Sequence, residues 1–250
     1  MPLRLECEAV VMARCSTIAS LRTNRLLAAL DAEDLLWLAP SLEFVELQQG
    51  AVIANQGGTI RHTYFPHDAI ISLTKQMRDG RQAEMAVFGR EAVVGIAFLG
   101  IPIHSLGNYI VQLSGTASRI SAKRMHEAVT ARPKIQRLFH CYTEALMVQT
   151  LQSVACNAAH SVEARCCRRI LRTHDRVGRD ELPLTHEFLA LMLGVQRSTV
   201  STVTRTLQDA GFIRQGRGTI TVVNRAGLEE AACECYSIIR QRYEQLIPCA

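Results

Sequence analysis

The sequence predicts an α+β protein. An N-terminal antiparallel β-roll of jelly-roll-like form is followed by a long helix, then by a C-terminal module of short helices and a small hairpin. Three observations carry this reading. Glycines at 50, 57, 58, 80, 89, 95, 100, 107 and 115 separate short β-favouring runs, the texture of an antiparallel sandwich or roll. No glycine then occurs from Thr116 to Val177. Beyond Gly178, helical runs alternate with turn residues.

Composition bounds the rest. With 250 residues, 48% apolar and 20% charged, the chain can bury two modest cores and is not disordered. Aromatic residues make up 5%, with Trp37 the single tryptophan, so the cores are expected to be aliphatic. No apolar run approaches the roughly 20 residues of a membrane helix. Glu6, Glu8 and Arg14 interrupt the N-terminal segment where a signal peptide would be apolar. No membrane partner is expected. The nine cysteines (7, 15, 141, 156, 166, 167, 233, 235 and 249) are odd in number and show no CxxC half-sites. Adjacent Cys166 and Cys167 would diverge by about 100° on a helix. They are expected to be structural thiols in a reducing cytoplasm, with redox sensing as the alternative. No metal and no cofactor are expected.

In chain order, residues 1–22 read as an N-terminal arm. Asn24 and Asp31 are N-cap residues for two short helices carrying Leu26, Leu27 and Leu30, then Leu35, Leu36 and Leu38. Strands are predicted at Leu42–Leu47, Ala51–Ala54, Thr63–Phe65, Ile70–Leu73, Glu84–Phe88 and Tyr109–Leu113, with Asp79-Gly80 as a hairpin turn. Residues 23–120 thus form the β-roll, which the resemblance named below implies is a sensory domain, its effector unknown. Residues 121–158 form a helical linker. In it Pro133 opens a long helix whose apolar positions Ile135, Leu138, Phe139, Tyr142, Leu146, Leu151, Val154 and Ala158 recur at steps of mostly three and four. At about 37 Å such a helix exceeds the needs of one small domain, and the stripe is expected to be the seam of a homodimer.

Residues 159–250 form the last module. Residues 161–226 hold 11 arginines against 6 acids, while residues 1–160 hold 15 basic and 13 acidic side chains. Every cation of the positive segment is thus Arg, whose planar fork suits phosphates and guanine edges. Within it, Thr185 caps a helix bearing Phe188, Leu189, Met192 and Leu193, Gly194 permits a tight turn, and Val195 fills the elbow. The next helix places Val200, Val203 and Leu207 on one face. The other carries Arg197, Ser198, Ser201, Thr202 and Arg205, a short polar surface suited to a major groove. Thr219–Val223 then returns from Gly216-Arg217-Gly218 as the wing of a winged helix-turn-helix, with Arg217 at its tip. Double-stranded DNA is the expected partner, through Thr185, Arg197, Ser198, Thr199, Ser201, Thr202, Arg205 and Arg217.

These motifs resemble the Crp/Fnr superfamily of transcription regulators over about residues 22–228, most specifically from Ser161 to Ala226. Gly50, Gly57, Tyr64 and Gly89-Arg-Glu-Ala-Val-Val-Gly95 fall where β-roll landmarks of the superfamily occur. The resemblance implies a cytoplasmic homodimer on a palindromic operator, with RNA polymerase as a further partner, and no enzyme activity. It also implies that Arg197 is the residue that bonds guanine. Where the family places a Glu and a second Arg, this chain has Ser198 and Thr202, so its operator is expected to differ. Nucleotide-binding members end their phosphate cassette with an Arg, and no Arg occurs between Gly95 and Leu113. A buried phosphate without a cation is poorly compensated, so cyclic nucleotides are not the expected effector. Cys7 and Cys15 cannot supply the four ligands of an iron–sulfur cluster. A haem- or redox-responsive regulator, with His62, His67 and His104 as candidate haem ligands, is the alternative. A metal-dependent enzyme on the β-domain is the alternative of another class, and no HxH or HxxxH pair occurs among those histidines.

Overall fold

The computed structural model describes residues 18–95 and 104–247. They form two compact units. The described residues of the first are 18–75, 87–95 and 104–139, and those of the second are 76–86 and 140–247. Most of the predicted N-terminal arm, with Cys7 and Cys15, lies outside the described residues, as do residues 96–103 of the candidate phosphate cassette and Cys249.

The first unit opens with three short helices, α1 (Ile18–Leu21), α2 (Arg25–Ala28) and α3 (Ala32–Leu38). Asn24 caps α2, its Oδ1 accepting from the backbone N–H groups of Leu26 and Leu27 at 3.0 and 3.3 Å. Its Nδ2 donates to the carbonyls of Pro66 and Ala92, both at 2.9 Å. One fully buried amide therefore caps a helix and ties it to Pro66 and Ala92 of the roll. Asp31 caps α3 through the Asp34 N–H.

Seven strands follow: β1 (Glu43–Leu47), β2 (Val52–Ala54), β3 (His62–Pro66), β4 (Ile70–Gln76), β5 (Gln82–Phe88), β6 (Asn108–Leu113) and β7 (Gly115–Ser121). They form two sheets, ordered β1-β7-β3 and β2-β6-β4-β5. The β4–β5 hairpin turns at Asp79-Gly80, with Gly80 at φ 86°, and its outer residues 76–86 cluster with the second unit. Helix α4 (Ala122–Ala131) and the start of α5 (Pro133–Ala159) complete the first unit. Its core is aliphatic, as expected, around Leu26, Leu27, Leu35, Leu38, Ile71, Ile120 and Met125. Phe65 meets Phe139 edge to face with centroids 6.3 Å apart.

Strand β7 was not among the strands predicted from sequence, and helix α4 lies in the predicted helical linker without having been separated from the long helix. β7 reads Gly-Thr-Ala-Ser-Arg-Ile-Ser, with few of the residues that favour strands. Its place is set by pairing on both sides, with β1 and with β3, where small Ala117 and Ser118 are buried.

The second unit holds the rest of α5, then α6 (Val162–Val177), β8 (Glu181–Leu182), α7 (His186–Leu193), α8 (Arg197–Asp209), β9 (Ile213–Gln215), β10 (Ile220–Val222), α9 (Arg225–Ala231) and α10 (Cys235–Leu246). The three strands form one antiparallel sheet in the order β8-β10-β9. Ser161 caps α6 and Asn224 caps α9, each accepting from a backbone N–H three residues on. Cys166, Cys167, Ile170, Leu171, Leu189, Val200, Leu207, Ile220 and Leu228 fill the core. Burial pushes the Cys166 and Cys167 thiols up to about 12, which keeps them protonated and inert.

Helix α5 corrects one expectation. Ile135, Phe139 and Tyr142 are buried within the single chain, so they are core residues and not the surface of a seam. Leu138 and Leu146 are half-buried. The exposed apolar positions are Met147, Leu151 and Val154, at 57, 62 and 65% exposure. Period-3.6 spacing identifies an apolar stripe but not whether its cover comes from the same chain. Among the described residues, no helix is long and apolar enough to cross a membrane.

Candidate nucleic-acid interface

The interface is built on two helices joined by a glycine turn. Thr185 caps α7, its Oγ1 accepting from the Phe188 N–H at 3.1 Å. Gly194 ends that helix at φ 67°, in the left-handed region open to glycine. The chain then turns into α8, which buries Val200, Thr204 and Leu207.

The opposite face of α8 stands in solvent. Arg197, Ser198, Ser201, Thr202 and Arg205 are all exposed, while Thr199 is half-buried. The Ser201 and Thr202 hydroxyls donate back to the carbonyls of Arg197 and Ser198 at 3.1 and 3.2 Å. With its one hydrogen used in this way, each hydroxyl can otherwise only accept. Arg197 makes an exposed ion pair with Glu187 at 2.8 Å.

The wing lies on β9, β10 and the turn between them. Gly216 N–H donates to the Thr219 carbonyl at 2.9 Å, and Gly218 takes φ 76°. Arg217 at the tip and Arg214 on β9 are exposed. Arg214 was not assigned a role from sequence, although it lies one alternation from the buried Ile213.

A small polar network joins these parts. His186 at the start of α7 has Nδ1 3.1 Å from Ser201 Oγ and Nε2 2.8 Å from Gln215 Oε1. Thr204 Oγ1 lies 3.2 Å from the same Gln215 oxygen, and Gln208 Oε1 accepts from the Gln215 N–H. Helices α7 and α8 and the wing are thereby held in one geometry, through Ser201 and through His186, Thr204, Gln208 and Gln215, which sequence reasoning passed over. No periodicity marks a polar residue that bonds across three elements.

The arginines of α6 behave differently from the expectation drawn from net charge. Arg165, Arg168 and Arg176 are buried. Arg165 Nη2 donates to the Leu193 carbonyl at 2.5 Å, and Arg169 Nη2 to the Met192 carbonyl at 3.3 Å. Two cations thus satisfy the open carbonyls at the end of α7, where a helix dipole favours positive charge. Arg169 also pairs with Glu84 at 2.5 Å, and Arg172 donates to Gln149. Arg225 pairs with Asp175 and Glu229. Of the 11 arginines between 161 and 226, the exposed ones are Arg179, Arg197, Arg205, Arg214 and Arg217. Four of these five lie on α8 and the wing.

Comparison with known proteins agrees with that geometry. The profile of the Crp-like helix-turn-helix domain family matches residues 164–231. None of the curated proteins compared matches the chain in sequence. Solved structures share its fold: FixK2 of Bradyrhizobium japonicum has a TM-score of 0.68 at 16% identity, covering 77% of this chain and 98% of its own. The c-di-GMP-responsive global regulator CLP of Xanthomonas campestris has a TM-score of 0.63 at 16% identity, covering 77% and 99%. The Crp/Fnr-family transcriptional regulator TTHA1359 of Thermus thermophilus has 0.62 at 18%, covering 76% and 98%. The Crp/Fnr resemblance is therefore matched over residues 164–231 by the helix-turn-helix model and, beyond them, by likeness of fold.

In the β-roll, Arg119 on β7 pairs with Glu43 at 2.9 Å. His67 Nε2 lies 2.9 Å from Ser118 Oγ, and its ring stacks on Phe44 at 5.8 Å. His104 Nδ1 lies 3.1 Å from the Gly57 carbonyl. Among the described residues, one group of metal-capable side chains converges, and it includes none of these. Cys156, His160, Cys233 and Cys235 have ligand atoms within 4.8 Å of one another. The sequence signal was present, because Cys156 and His160 stand one helical turn apart. A search for CxxC, HxH and HxxxH half-sites passes over a mixed Cys-x3-His and a Cys-x-Cys pair.

Proposed function

We propose that the protein is a sequence-specific transcription regulator that binds double-stranded DNA as a homodimer. Supporting this is the exposed polar face of α8 beside the arginines of the wing, in a unit whose other arginines are mostly turned inward or paired. Arg197 enters the major groove first and bonds O6 and N7 of guanine. Ser201 and Thr202 accept from base amino groups, with Ser198 beside them. Arg205 and Arg217 hold phosphates. Thr199, half-buried, supports the helix at its edge, and Thr185 presents the start of α7 to the backbone. Arg214 joins this set as a further phosphate contact.

The functional parts are a sensory roll over residues 23–120, a helical linker over 121–158 and the DNA-binding module from 159 onward, with residues 1–22 as an arm. A second copy covers Met147, Leu151 and Val154 of α5, so that two recognition helices read half-sites about one helical turn apart. RNA polymerase is the further partner, and the chain works in the cytoplasm. The effector is not a cyclic nucleotide: the cassette segment holds no Arg, and Arg119 is engaged by Glu43.

Selection of bound sequences from random DNA, followed by footprinting, tests this reading. A palindromic consensus with two protected half-sites is expected. Recovery of unrelated sequences at a non-specific affinity would overturn it.

A further inference from the structure

We propose that Cys156, His160, Cys233 and Cys235 form a closed four-ligand site for a single zinc ion. This goes beyond the DNA-binding reading and does not depend on it. The ligands come from two places in the second unit. Cys156 lies in the last turn of α5, and the His160 N–H donates to the Cys156 carbonyl at 3.1 Å, which keeps both side chains on one face. Cys233 and Cys235 flank the entry to α10, where the Tyr236 N–H donates to the Cys233 carbonyl at 3.0 Å.

The spacing of the ligand atoms is that of one coordination sphere. With metal–sulfur bonds of about 2.3 Å and a metal–nitrogen bond of about 2.05 Å, a tetrahedron has S···S edges of about 3.75 Å and S···N edges of about 3.6 Å. Cys156 Sγ and Cys233 Sγ are 3.5 Å apart, and Cys235 Sγ lies 3.6 Å from His160 Nδ1. A cluster of several iron atoms needs its ligand sulfurs spread more widely than the 4.8 Å that spans this group. Three thiolates and an imidazole in a tetrahedral arrangement select zinc, and four protein ligands leave no open position for catalysis.

The surroundings are built as zinc sites are built. His160 turns its other nitrogen, Nε2, to Glu234 Oε1 at 3.1 Å, the carboxylate partner that fixes the ring of a metal-bound histidine. Gln152 Nε2 donates to Cys235 Sγ at 3.1 Å, which suits a thiolate. Zinc with three thiolates carries one net negative charge. Buried Arg168 acts on both Cys156 and Cys233, and its Nε has no hydrogen-bond acceptor. Its guanidinium thus offsets the charge of the filled site. The three thiols themselves are buried, so the ion would close a polar pocket inside the unit and fasten the end of α5 to the start of α10.

Metal analysis of the full chain, purified under reducing conditions and desalted, tests the site. About one equivalent of zinc per chain is expected, falling at least tenfold in Cys156→Ser and Cys235→Ser and retained in Cys141→Ser. Cobalt(II) added to zinc-free wild-type protein is expected to give the d–d and charge-transfer bands of tetrahedral thiolate coordination. This second reading needs no variant to fold. Three results would overturn the proposal: no retained zinc together with no cobalt bands, equal zinc in the cysteine variants, or a Cys156–Cys233 disulfide as the resident state.

Discussion

Arg197 is already engaged in the free protein, by Glu187 at 2.8 Å, with both side chains more than half exposed. Such a surface pair contributes about 0–1 kcal/mol, so guanine can displace Glu187 at little cost. Glu187→Gln is expected to raise affinity for all sequences modestly without changing the preferred one, measured by titration against specific and random DNA. Asn24 is the opposite case, a buried group with every polar atom in use. Asn24→Ala should cost about 2 kcal/mol or more in thermal or denaturant unfolding, because a cap is lost and two carbonyls are left buried without donors. His67 supplies a pH dependence. Burial pushes its pKa below the ordinary 6.5, so below that pH the unfolded chain takes up a proton that the folded chain refuses. The stability present above pH 6.5 is therefore lost as pH falls toward the lowered value. Denaturant unfolding between about pH 7 and pH 5 should show this decline, and His67→Gln should make it shallower. His62 shifts in the same direction for the same reason, so part of the slope should remain. An unchanged slope in His67→Gln would contradict the assignment. At this scale caps were legible in sequence, since Asn24, Asp31 and Thr185 precede helical runs and do cap them. The buried arginines of α6 were not, because a charge count does not say which way a side chain turns.

Among the elements, the long helix shows where periodicity stops informing. Its extent was legible from Pro133 and the apolar repeat, and α5 indeed runs Pro133–Ala159. Ile135, Phe139 and Tyr142 nevertheless belong to the chain's own core, while Leu151 and Val154 are exposed. A charge placed at Leu151 would sit in the proposed seam while leaving the single-chain core untouched. Leu151→Asp is expected to shift sedimentation from dimer to monomer with unchanged helical content, burial of an unpaired charge being costly. A wild-type monomer at micromolar concentration would contradict the seam. Strand β7 was missed for a related reason. Its small and polar residues hold the middle of a sheet by pairing, which one strand's pattern cannot announce. The recognition helix was the most legible element, because its turn, its buried face and its polar face all follow from local rules.

For the whole molecule, the proposed function places the sensory role in a roll whose Gly95–Leu113 segment holds no Arg, and DNA reading in the unit that exposes Arg197, Arg214 and Arg217. Cyclic AMP and cyclic GMP are expected to show no binding in calorimetry at micromolar concentrations, and micromolar affinity for either would contradict the reading of the roll. The central claim is the division of labour on the DNA. It is tested most directly by footprinting and salt titration of Arg197→Ala, Arg205→Ala and Arg217→Ala against the selected operator and its single-base variants. Arg197→Ala is expected to lose preference at one base pair per half-site, worth about 1–3 kcal/mol of discrimination. Arg205→Ala and Arg217→Ala should weaken binding to all sequences alike and lower the salt slope by about one unit. Sequence preference that survives in Arg197→Ala, with a base-specific loss in Arg205→Ala or Arg217→Ala instead, would contradict it.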